Sequence, residues 1–112
     1  MALKHADFME VVDLTITPAG AEAQGSASVL KTDRIQLMRL VMTAGQVLPE
    51  HRVPGEITIQ CLSGEITVTS GTRSARLAPC QLVALEGDAP HAVHAHVDAT
   101  LLVTLLHDSA AN

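Results

Sequence analysis

The sequence predicts an all-β fold, a single small barrel or sandwich, on three observations. Short apolar stretches alternate with Gly, Pro, Ser and Asp turn signals every 8–12 residues. Period-two alternation is clear where Ile66 and Val68 interleave with Glu65, Thr67 and Thr69, the pattern of a half-buried strand. No stretch carries helical spacing for more than a turn or two. At 112 residues the chain is long enough for one hydrophobic core and too short for two, so residues 1–112 are read as one domain.

In chain order, residues 8–14 form a first strand. Residues 18–27, rich in Ala and Gly, form a loop or one helical turn. Residues 28–32 and 35–42 make a hairpin around Asp33-Arg34. The second arm, IQLMRLVM, is apolar on both faces, which a strand is when the barrel covers one side and another surface covers the other. Residues 43–45 turn the chain. Residues 57–62 turn at Ser63-Gly64 into residues 65–69, and residues 72–77 turn at Ala78-Pro79-Cys80 into residues 81–85. Residues 91–97 and 100–106 close the sheet, and residues 108–112 are a small polar tail.

Composition excludes several function classes. The formal charge is −5 and no basic patch stands out, which argues against nucleic acid. One Phe, no Tyr and no Trp leave no stacking platform for bases or sugars beyond Phe8. No apolar run approaches bilayer length, and Lys4, His5, Asp7 and Glu10 interrupt any signal-peptide core. Cys61 and Cys80 do not make a disulfide framework. With no export signal we expect two reduced thiols and a cytoplasmic protein that does not engage membranes.

The richest stretch runs from Gly45 through His51, Pro54, Gly55 and Glu56 to Gly64, with His91 following a second proline. It resembles the small single-domain cupins, jelly-roll barrels of antiparallel strands. Their first motif is G-x5-H-x-H-x3-E-x6-G, and Gly45, His51 and Gly64 stand in its frame over residues 45–64. Their second motif is G-x5-P-x-G-x2-H-x3-N. Over residues 80–95 His91 fits it, with Cys80 in the leading Gly slot and Ala95 in the Asn slot. In metal-binding cupins the two first-motif histidines, the Glu and the second-motif histidine hold one divalent ion. Here Val53 fills the second histidine slot and Ile57 the Glu slot, with Glu56 one residue early. The resemblance therefore implies His51 and His91 as ligands, Glu56 as third ligand or general base, and one divalent metal (Fe, Mn, Ni, Co or Zn) at an incomplete site.

Strand parity opposes Glu56 as a ligand. Ile57, Ile59 and Cys61 share one face and Glu56, Thr58 and Gln60 the other, unless a bulge at Pro54-Gly55 turns Glu56 back. The same parity sets His94 and His96 opposite His91, as surface or interface residues. The expected ligand pocket is lined by Ile57, Ile59 and Cys61, with Gln60 and Arg39 as further polar groups. Arg39 either anchors an anion or packs its stem with its head in water or against an interface acid. Cys61 reads better as a small buried hydrophobe than as a nucleophile, and Cys80 as a turn residue open to oxidation. Three functions stand open. They are a small-molecule-binding barrel around His51 and His91, a metal-dependent dioxygenase, isomerase or decarboxylase, and a ligand-sensing or interaction module. The doubly apolar strand Ile35–Met42 predicts a homodimer.

Overall fold

Nine antiparallel strands, with no helix among the described residues, build two sheets that face each other. The computed structural model describes residues 5–15 and 25–107. The strands are β1 (Gly25–Lys31), β2 (Ile35–Met42), β3 (Val47–His51), β4 (Ile57–Ser63), β5 (Ile66–Ser70), β6 (Arg73–Leu77), β7 (Gln81–Leu85), β8 (His91–Ala95) and β9 (Ala99–Leu106). One sheet runs β1-β2-β9-β4-β7 and the other β3-β8-β5-β6, the jelly-roll arrangement that the family resemblance implied. The predicted tail and most of the predicted 18–27 loop lie outside the described residues.

Register decides which residues face inward, because directly opposed residues share a face. Met38, Val103, Ile59 and Val83 form one row inside the barrel, and Arg39, Leu102, Gln60 and Leu82 form the neighbouring row outside. Met42, Ile59, Ile66, Leu101 and Cys61 are fully buried and fill one end of the interior. The other end is the mouth, where β8 begins and β3 ends.

Two predicted elements change. Residues 8–14 are not a strand. Glu10 N–H donates to the Asp7 carbonyl at 3.0 Å, Asp7 N–H to Glu10 Oε1 at 2.8 Å, and Met9 sits at φ +68°, so a turn interrupts the apolar run before it can pair. Conversely, β3 forms where no strand was expected. Its sequence VLPEH carries a proline and mostly exposed residues, and as the edge of the four-stranded sheet it needs to pair only with β8.

The glycines of the first motif have conformational work. Gly64 turns β4 into β5 at φ +85°, and a Cβ there would strike the Asp98 carbonyl. The second motif keeps the same geometry without glycine. Cys80 (φ +71°) and Asp88 (φ +63°), which stand in that motif's two glycine slots, are both left-handed.

Candidate functional site

A β-bulge aims the first histidine. Leu48 opposes Val93 and His51 opposes His91, so β3 advances three residues while β8 advances two. In an unbroken strand three steps reverse the side chain, and His51 would leave the face of Leu48. The extra residue in the Pro49-Glu50 stretch corrects the parity and returns His51 to the interior face. Pro49 suits this place, since a bulge and an edge strand both tolerate a missing N–H. His91 starts β8 on the same face as the buried Val93 and Ala95.

The two rings meet with centroids 4.4 Å apart, tilted by 58°. His91 is 3% exposed, whereas His51 is open to solvent, so the pair spans the mouth from wall to water. Each ring is held the same way. His51 Nδ1 lies 3.1 Å from the Pro49 carbonyl and His91 Nδ1 3.0 Å from the Ala89 carbonyl. A carbonyl only accepts, so both Nδ1 atoms carry the proton, and each neutral ring keeps Nε2 as an acceptor. A backbone carbonyl behind Nδ1 is also how ligating histidines are commonly oriented. The donor set offers two neutral imidazoles. Among the described residues no third His, Cys, Asp or Glu is grouped with them, so the four-ligand set implied by the family resemblance does not assemble.

The other predicted site residues divide by face. Ile57, Ile59 and Cys61 are buried on the inner face of β4. Burial pushes the Cys61 thiol up, with Cys80 and Glu65 adding to it, and its S–H points 3.4 Å from the Ser63 carbonyl, so it is an inert packing group. Gln60 and Arg39 stand on the outer face, away from the histidines. One Arg39 N–H donates to the Asp13 carbonyl at 2.8 Å, while its Nε is buried without a partner among the described residues. Glu56 lies in two open clefts outside the barrel. One, of about 280 Å³, runs beside Thr58, Ala84 and Thr104; the other, of about 440 Å³, beside Arg34, Gly87 and His107. No bulge at Pro54-Gly55 turns it inward. Gly55 serves instead to let the loop lie against the end of β9, where a Cβ would strike the Leu106 carbonyl.

Sequence reasoning missed one polar group on the interior face of the five-stranded sheet. Gln36 shares that face with Met38 and Leu40. Its amide donates to Ser28 Oγ at 2.9 Å, and the same oxygen meets His5 Nε2 at 2.9 Å. The polar position in an otherwise apolar strand was the available signal.

The arrangement matches known folds. A cupin superfamily protein from Desulfitobacterium hafniense superposes at TM-score 0.77, with 20% identity over 96% of this chain and 100% of that one. The fold is that of a cupin. The TT1209 protein of Thermus thermophilus gives TM-score 0.73 at 27% identity, covering 88% and 98% of the two chains. The DMSP lyase DddQ from Ruegeria pomeroyi gives 0.64 at 28% identity, over 70% of this chain and 41% of the lyase. No family model matches the chain, and no curated protein sequence matches it. Among the described residues no helix is long and apolar enough to cross a membrane.

Proposed function

We propose that this cupin binds a small molecule at the barrel mouth, with His51 and His91 as its polar anchors. One observation carries the reading: both Nδ1 atoms are spent on carbonyls, so two adjacent rings offer only acceptors. Two acceptors side by side at a partly apolar mouth favour an occupant that brings N–H or O–H donors or a positive charge. Val53, Leu85 and Leu105, half-buried against the core, supply apolar wall. The chain is read as cytoplasmic, in keeping with its two free cysteines.

A second reading shares that observation. A divalent ion is also an acceptor's partner, and the same tautomers suit it, with two protein ligands and the remaining positions left to a bound molecule or water. The likeness to the DMSP lyase supports an enzymatic role, although Glu56 is not placed to act as a third ligand beside the two histidines. Elemental analysis of tag-free protein purified without chelator, alongside a small-molecule binding screen by NMR, separates the readings. Binding that is lost in both His51→Ala and His91→Ala supports the site. Metal or ligand retained in both variants overturns it.

We also propose a homodimer through the outer face of the five-stranded sheet. Leu37, Val41 and Leu82 lie there, apolar side chains on a strand that the barrel covers only on its other face. Light scattering after size exclusion at micromolar concentration gives twice the chain mass if this is right, and a monomer mass ends the proposal.

A further inference from the structure

A second histidine pair stands on the outer wall of the four-stranded sheet. His94 faces outward from β8 between Val47 and Thr67, its partners on β3 and β5. The ladder continues past the end of β8, where His96 N–H donates to the Glu65 carbonyl at 2.9 Å. His94 and His96 are therefore two apart on one outward face, and their ring centroids are 4.6 Å apart with a tilt of 55°. His94 is exposed and His96 half-buried. Thr67 Oγ1 lies 2.6 Å from His96 Nε2 and fixes that ring.

From this we infer that His94 and His96 form an exchangeable site for a divalent late transition metal, Cu(II) foremost, on the outer wall of the barrel. With metal–nitrogen bonds of about 2.0–2.1 Å, two imidazoles in cis positions put their ring centres about 4.5 Å apart. The observed 4.6 Å is compatible with that spacing. When Nε2–H of His96 donates to Thr67 Oγ1, Nδ1 is the free ligand atom and the hydroxyl holds the ring in place behind it. Imidazole nitrogens with open positions for water suit Cu(II) and Ni(II), and the affinity order among divalent ions places Cu(II) highest. The absence of oxygen ligands in the pair disfavours Ca²⁺ and Mg²⁺. Glu65 is the nearest carboxylate along the ladder. Arg76 holds it in a two-bond pair, Nε–Oε2 2.7 Å and Nη2–Oε1 2.9 Å, which keeps it from the metal.

The test is a Cu(II) titration of chelator-treated full-length protein carrying His51→Ala and His91→Ala, so that the mouth pair cannot contribute. Electron paramagnetic resonance reports the number of coordinating nitrogens. The expected result is one equivalent bound with micromolar affinity and a two-nitrogen signature. Adding His94→Ala or His96→Ala should weaken it at least about ten-fold, and Thr67→Val by about ten-fold. Arg76→Gln, which frees Glu65, should tighten it several-fold, a change that a purely structural role for Arg76 would not produce. His5→Ala should change nothing. No stoichiometric binding in the double variant, or an affinity indifferent to His94→Ala, overturns the inference.

Discussion

Deleting Glu50 should leave His51 facing His91. The histidine stands three residues after Leu48 on β3, opposite two steps on β8, and the bulge absorbs the difference. Removing one residue brings the two counts into agreement, so the ladder becomes regular and the face of His51 is unchanged. Removing both Pro49 and Glu50 leaves one step and throws the ring to the outer face. The rings are 4.4 Å apart in the native barrel. On opposite sides of the sheet they would be roughly 8 Å apart or more, which by the sixth-power law lowers the nuclear Overhauser effect between them by at least about 36-fold. The assay is that cross-peak, with long-range nitrogen–proton spectra for the tautomers. The single deletion also removes the bulge that brings the Pro49 carbonyl to His51 Nδ1, so the tautomer of His51 alone should shift while that of His91 stays. Pro49 and Glu50 are exposed, so either deletion should spare the core. Loss of the cross-peak on deleting Glu50 alone would refute the parity argument.

Three further outcomes are expected. Replacing Cys80 with Gly relieves a left-handed side chain worth about 1–2 kcal/mol, partly offset by backbone entropy of about 0.5–1 kcal/mol; calorimetry should show a Tm raised by about 2–4 °C. Native alkylation at pH 8 should label Cys80 only, and mass spectrometry should find a second adduct at Cys61 only after denaturant, because burial raises that thiol. The Arg76 pair holds the Glu65 carboxyl below the usual glutamate range. Its stabilisation is therefore present above the unfolded glutamate pKa and fades as pH falls through the lower folded value. Denaturant midpoints of Glu65→Gln and wild type should converge at low pH, with only a small difference at pH 7 because the pair is exposed.

The sheet strands were legible because their alternation and turn glycines are local properties. Ile66 and Val68 announce their own face, and Gly64 its own turn. β3 was hidden because its pairing is set by β8, forty residues on, while its own residues read as a proline-containing loop. The residues 8–14 failed in the other direction: apolar content suggested a strand, but Phe8 and Met9 are 84% and 98% exposed around a turn. At the site, motif spacing was enough to bring His51 and His91 together. Parity alone correctly set Glu56 apart from them and His94 and His96 on the far face. Gln60 was expected in the pocket although the same parity puts it on the outer face, and Arg39 required the register of β2 against β9 before its face was defined. The tautomers were beyond sequence, since they depend on two carbonyls whose directions the backbone sets.

One consequence of the topology concerns how the barrel comes into being. β9 lies between β2 and β4 and is the last of the described strands along the chain. As the polypeptide leaves the ribosome, β1-β2 and β4-β7 emerge as separate ribbons with no common partner. The five-stranded sheet, and with it the apolar face opposite the histidines, is completed only when residues 99–106 arrive. Folding of that sheet must then be late and governed by long-range pairing, the slow regime for β proteins. Until then Ile57, Ile59 and Leu40 remain uncovered, the kind of exposed apolar surface that makes an incomplete sheet prone to association.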